Sequence, residues 1–130
     1  MDVAGGSGGL AFELSVRRQI PCVVVDPRAL RLTSSQRFVL EHRCKICDAV
    51  APWTSVSPMA LSTLRKFKAQ RVCQLQALFD SDVILRGGDD PSDLASAVRD
   101  CSVLVGLHPD QALEHIIDTA VALRKPFVVA

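Results

Sequence analysis

The sequence has no surplus of charge of either sign: 15 lysines and arginines stand against 14 aspartates and glutamates, for a net charge of +1. Without a basic field, bulk charge does not draw the chain to nucleic acid or to an anionic membrane, and such a partner would have to meet a local patch. Long apolar runs are missing as well. The longest are of the CVVV or SVLVGL kind, far short of the roughly 20 residues of a membrane span, so the chain reads as soluble with no membrane partner. The N-terminus lacks the basic region and the apolar core of about 7–15 residues that a secretory signal needs. A paired cysteine framework is absent too: five cysteines in a chain able to build its own core read as reduced thiols in an intracellular, cytoplasmic setting. What is present is 130 residues, 48% hydrophobic, enough for one domain over 1–130 with one buried core.

Helical and extended patterns alternate along that domain. Leu10, Phe12, Leu14 and Val16 among polar residues, with two cations ending at Arg18, predict a helix, although their spacing fits the helical period imperfectly. Cys22 to Val25 is a continuous apolar run closed by Asp26 and Pro27, the pattern of a strand buried on both faces. Thr33 with Gln36 three residues on forms a capping box, which predicts a helix over Ser34 to His42. Ser57 and Pro58 start another, with Leu61, Leu64 and Phe67 on one face. Between these two, residues 44–57 have no clear period and read as an insertion or connecting loop. Cys73 to Phe79 is the third strand candidate and Val83 to Leu85 its rival. After the punctuation of Gly87, Gly88, Asp90 and Pro91 a short helix runs through Leu94, Ala95 and Val98. Ser102 to Leu107 reads as a buried strand. The clearest helix follows Pro109, with Ala112, Leu113, Ile116, Ile117, Ala120, Val121 and Leu123 at the 3.6 period. Pro126 ends it and Phe127 to Ala130 begins a last strand.

Strands alternating with helices predict an α/β fold, a doubly wound parallel sheet with helices on both faces. Ligands of such sheets bind beyond the carboxyl ends of the strands. The glycine turn, Asp26, Asp80 and His108 all fall at predicted strand ends.

Near the N-terminus stands DVAGGSGG. A helix opening straight after glycines offers unpaired N–H groups with a partial positive charge, and the missing side chains allow close approach. Asp26 lies 18 residues after Gly8, where a carboxylate can accept hydrogen bonds from a ribose diol. Together they suit a nucleoside with an anionic arm; separately, a tight turn and a strand cap would read the same way. GSGGLA, Gly6 to Ala11, satisfies GxGxxA, which keeps an NAD or FAD site open.

DVAGGSG resembles the first motif of class I S-adenosylmethionine-dependent methyltransferases, whose loop reads (D/E)xGxGxG. Asp2 supplies the acid, and Gly6 and Gly8 match the second and third glycines. Ala4 departs from the pattern at the first. The resemblance implies a Rossmann-like methyltransferase with S-adenosylmethionine as cofactor, held by Asp2, Ala4, Gly5, Gly6 and Gly8 in the loop. Asp26, with Pro27 and Arg28, would take the ribose, Asp80 would lie near the adenine, and Leu107 would sit at the end of the fourth strand. GLHPDQA is similar to the Gly-x-His that ends the fourth strand in several RNA-modifying members, which implies a methyl acceptor of that class and catalytic roles for His108 and Asp110. An imidazole titrating near neutral pH suits a general base. Equally, His108 suits the N-cap side of a helix and Asp110 its first turn.

Other features compete. His42, Cys44 and Cys47 form HxCxxC, half the spacing of a zinc site, with Cys73 a conceivable fourth ligand; free thiols are the alternative. Lys66, Lys68 and Arg71 read either as phosphate contacts or as a solvated helix face. The family pattern includes a five-residue strand before the glycine loop and two strands after the fifth. The domain therefore reads as incomplete at both ends, with the central strand position either filled only by Met1 to Ala4 or left poorly supported, and with weak affinity for S-adenosylmethionine. Besides a methyltransferase domain, the sequence leaves open an NAD- or FAD-binding oxidoreductase fragment and an inactive Rossmann-like interaction module.

Overall fold

The structure is a computed structural model that describes residues 1–44, 72–86 and 93–130, and every element named below belongs to these. Strand β1 is Asp2–Val3, and helix α1, Gly9–Phe12, continues as a π-helix over Glu13–Arg17. Strand β2 is Val23–Val25, helix α2 Ser34–Cys44 and strand β3 Cys73–Leu75. Helices α3, Ser81–Arg86, and α4, Asp93–Asp100, lead to strand β4, Leu104–Gly106. A 3₁₀ turn, Asp110–Ala112, runs into helix α5, Leu113–Ala122, and strand β5 is Phe127–Val129.

The five strands form one sheet in the order β3-β2-β1-β4-β5, and every neighbouring pair is parallel. The chain builds outward from β1 through β2 to β3, then returns to the other side of β1 for β4. The strand order therefore reverses between β1 and β4, the position at which the strand ends splay apart and leave a crevice.

Alternation along the strands sorts side chains onto two cores. Met1, Val3, Val25, Leu75 and Leu104 join Ile84 of α3, Leu94 and Val98 of α4, and Ile116 and Ala120 of α5. Val24 instead joins Phe12, Val16, Cys22, Leu32 and Val72. Apolar residues at consecutive positions of β2 thus serve opposite faces, which is why that strand reads as an unbroken apolar run.

Of the two alternatives for the centre of the sheet, Met1 to Ala4 fill it: Asp2 pairs with Val24 and with Val105, so a two-residue strand suffices where both neighbours supply partners. Other expectations change. The third strand stops at Leu75, because the Ala77 N–H turns back to the Leu75 carbonyl. Its rival Val83 to Leu85 is helical, within α3. The imperfect spacing of Leu10 to Val16 has its counterpart in the π-helical second half of that segment, which buries Ser15 and Val16 as α1 buries Ala11 and Phe12. The capping box forms reciprocally: the Gln36 N–H donates to Thr33 Oγ1 at 3.2 Å and the Thr33 N–H to Gln36 Oε1 at 2.9 Å. The helix expected after Ser57 and most of the expected insertion lie outside the described residues.

Candidate functional site

At the carboxyl ends of the strands lies an open cavity of about 500 Å³, within the range of small-molecule sites. Each wall follows a strand: Ala4 after β1, Asp26 to Arg28 after β2, Leu78 to Asp80 beyond β3, and His108 to Ala112 after β4, with His115 of α5 behind them. Of the residues singled out from sequence, Ala4, Asp26, Pro27, Arg28, Asp80, His108 and Asp110 meet here.

Asp26 anchors the arrangement. Its side chain is fully buried, yet both oxygens have polar partners. Oδ2 accepts the Gly6 N–H at 3.0 Å and Arg28 Nη2 at 3.1 Å; Oδ1 accepts the Arg28 N–H at 2.8 Å and Arg28 Nε at 3.1 Å. Burial pushes the carboxyl up, but the hydrogen bonds from the Arg28 side chain and backbone and from Gly6, with the Arg28 charge, outweigh it and hold Asp26 below the usual carboxylate range. One buried carboxylate therefore fastens the glycine turn after β1 to the end of β2.

The glycine turn is shaped from beneath by Asp2. Asp2 is buried, and a Cβ on Gly5 would stand 2.6 Å from its Oδ2 and 2.9 Å from Val24 Cγ1, so only glycine lets the loop lie this close. That Oδ2 has no hydrogen-bond partner. Burial raises the Asp2 carboxyl to about 6, against the lowering effects of the chain's amino group and the Ala11 backbone. Gly8, at φ 77, sits in the left-handed region that glycine alone enters freely. Asp2, Gly5, Gly6 and Gly8 thus form the scaffold of the turn, while Ala4 and Asp26 face the cavity. Leu107 is exposed after β4 and is not among the lining residues.

Ala4, at φ 55, and His108, at φ 53, are both left-handed, one at each strand end flanking the switch point. Strained backbone of this kind clusters at ligand sites. Where Ala4 departs from the glycine pattern, the loop thus demands the conformation that glycine takes at least cost, and the alanine bears the strain. The His108 N–H donates to the Ala130 carbonyl, and the N-cap of the 3₁₀ turn after it is Pro109, with no side-chain cap, so the His108 imidazole is not spent as an N-cap. Asp110 does stand in the first turn. Asp80 caps α3, with Oδ1 accepting the Asp82 N–H at 2.8 Å.

Sequence reasoning missed His115. Its Nδ1 lies 3.2 Å from the Ser81 N–H and 2.9 Å from Ser81 Oγ. A backbone N–H can only donate, so Nδ1 is the acceptor and the ring carries its proton on Nε2. Only the helical period of α5, one residue before the core position Ile116, could have placed it near the strand ends.

No family model matches the chain, and no curated protein or solved structure does. Among the described residues no group of three or more His, Cys, Asp or Glu side chains could hold a metal. Of the zinc candidates, Cys73 is buried in β3, while Cys47 and the side chains of His42 and Cys44 lie outside the described residues, as do Lys66, Lys68 and Arg71. No described helix is long and apolar enough to cross a membrane.

Proposed function

We propose that the cavity binds the nucleoside part of S-adenosylmethionine and that the chain is a methyltransferase domain. The observation that carries this reading is the Asp26 carboxylate, buried at the end of β2 beside the switch point and tied to the glycine turn. An acceptor so placed suits a ribose diol. Leu78 and Phe79 offer apolar surface for a purine, and Asp80 keeps Oδ2 for an exocyclic amino group. The donor set therefore fits the cofactor, whose sulfonium would supply an activated methyl group.

Around it the residues of the chain have positional tasks. Asp26 orients the ribose, Ala4 brings the backbone close on the scaffold of the glycine turn, and Asp80 sets the base edge. His108 and Asp110, across the cavity, stand where an acceptor would enter. A nucleophile aligned behind the methyl carbon needs little beyond positioning, and His108 takes its proton where the acceptor is a poor nucleophile. The acceptor is unassigned; RNA rests on the resemblance of the Gly-x-His stretch alone.

A thermal-shift panel tests the reading. S-adenosylhomocysteine at about 100 times its Kd adds about 2.7 kcal/mol to stability and raises Tm by several degrees. A shift with NAD or FAD and none with S-adenosylhomocysteine replaces it with the dinucleotide-binding alternative. No shift with any of the three leaves the interaction module.

A further inference from the structure

In this structure Asp26 has no acceptor position left for a ligand. An ionised carboxylate offers about four lone-pair sites, and four N–H groups fill them: two from backbone, Gly6 and Arg28, and two from the Arg28 guanidinium. The two pairs differ in kind. The backbone donors belong to the turns that follow β1 and β2. The guanidinium belongs to a side chain that is 75% exposed, on the wall of the cavity, gripping a carboxylate that is fully buried. A second carboxylate, Asp110, lines the same cavity.

We propose that Arg28 is a displaceable plug: its guanidinium holds the two positions of Asp26 that a ribose diol would take, and it swings out when a ribonucleoside enters. The inference rests on the nucleoside reading given above. The exchange balances bond for bond, because two hydroxyl donors replace the fork of two N–H donors on the same two oxygens. The freed guanidinium, already 75% exposed, stays solvated, so no charge is buried unpaired. The plug serves the free protein, since without it a buried anion at the base of an open cavity would keep only its two backbone donors. It also sets affinity. A ligand that must displace Arg28 binds more weakly than it would to a vacant Asp26, by the factor with which the closed pair is favoured over the open one.

Four consequences separate a plug from a brace that helps to hold the ligand. Adenosine is the probe, because it is neutral and carries the diol; 2′,3′-dideoxyadenosine is the control, because it makes no demand on Asp26. Isothermal titration is expected to show adenosine binding R28A roughly three- to tenfold more tightly than wild type, a range appropriate to a forked ion pair with its guanidinium in solvent and its carboxylate buried. R28K, whose ammonium cannot match the fork, is expected to fall between them. The dideoxy control is expected to bind wild type and R28A alike. Raising the salt concentration loosens the Arg28–Asp26 pair but not the neutral ligand's contacts, so adenosine is expected to bind wild type more tightly at high salt and R28A with little change.

Equal or weaker adenosine binding by both R28A and R28K, with their Tm values showing folded protein, overturns the plug and makes Arg28 a brace or a bystander; the nucleoside reading survives that result. Equal tightening of the dideoxy control also overturns it, since the gain would then be access and not the release of Asp26. Failure of adenosine and S-adenosylhomocysteine to bind wild type, R28A and R28K alike overturns both the plug and the nucleoside reading.

Discussion

At the scale of single residues, two buried aspartates of opposite character meet under one loop. Asp26 is held below the usual carboxylate range, so its contribution to stability is present above about pH 4 and is lost as the pH falls through its folded value. Asp2 behaves in the opposite sense. Its folded value of about 6 exceeds that of an unfolded aspartate, about 3.9, so between these values the native state holds a proton that the unfolded chain has released. Its contribution is fully present below about pH 4 and is lost as the pH rises through 6. Asp2→Asn is therefore expected to gain on wild type by about 3 kcal/mol between pH 4 and 7, read from denaturant unfolding at a series of pH values; parallel pH profiles would show that Asp2 is ionised without cost. Ala4 offers a second test. Its left-handed φ of 55 costs an L-residue about 1–2 kcal/mol, so Ala4→Gly is expected to raise Tm, whereas alanine to glycine at an unstrained site lowers it. The sequence showed Asp26 and the glycines as one constellation because their chain spacing is local to a strand, a turn and a helix. It could not show that Asp2 lies beneath the loop and not in the cavity, since that depends on which way one residue of a two-residue strand faces.

At the scale of elements, short pieces are held by side chains at their ends. Helix α2 carries the reciprocal Thr33–Gln36 box, and Thr33→Ala is expected to cost about 1 kcal/mol. Helix α4 is closed from a distance: Lys125 Nζ donates to the Arg99 carbonyl at 2.8 Å and to the Cys101 carbonyl at 2.6 Å. Lys125→Met is expected to lower stability by about 1 kcal/mol, with faster amide exchange in the last turn of α4 as the local readout; unchanged exchange there would assign the loss elsewhere. The capping box was legible because both partners lie within four positions. The lysine cap was not, for its partners are 26 and 24 residues away. Strand boundaries erred for a related reason. Phe79 is apolar and buried but packs from a loop, and the buried Ile84 faces the core from a helix, so apolarity alone did not tell strand from turn or helix.

At the scale of the whole molecule, the parallel sheet follows from the alternation of strands with helices, while its order is visible only in the structure. The reversal of strand order between β1 and β4 then brings Ala4, Asp26, Asp80 and His108 together from positions spread over 105 residues of chain. That convergence was foreseeable because every one of them was placed at a strand's carboxyl end. His115 was not foreseeable in the same way, because a helix brings it there through its contact with Ser81. The claim that unites these observations is that Asp26 is the ligand-binding acceptor of a nucleoside cavity. Isothermal titration of S-adenosylhomocysteine into wild type and into Asp26→Asn tests it most directly, with circular dichroism confirming that both are folded. The account predicts one site per chain in wild type and at least a tenfold loss of affinity in Asp26→Asn; binding of equal strength to both proteins, or to neither, would contradict it.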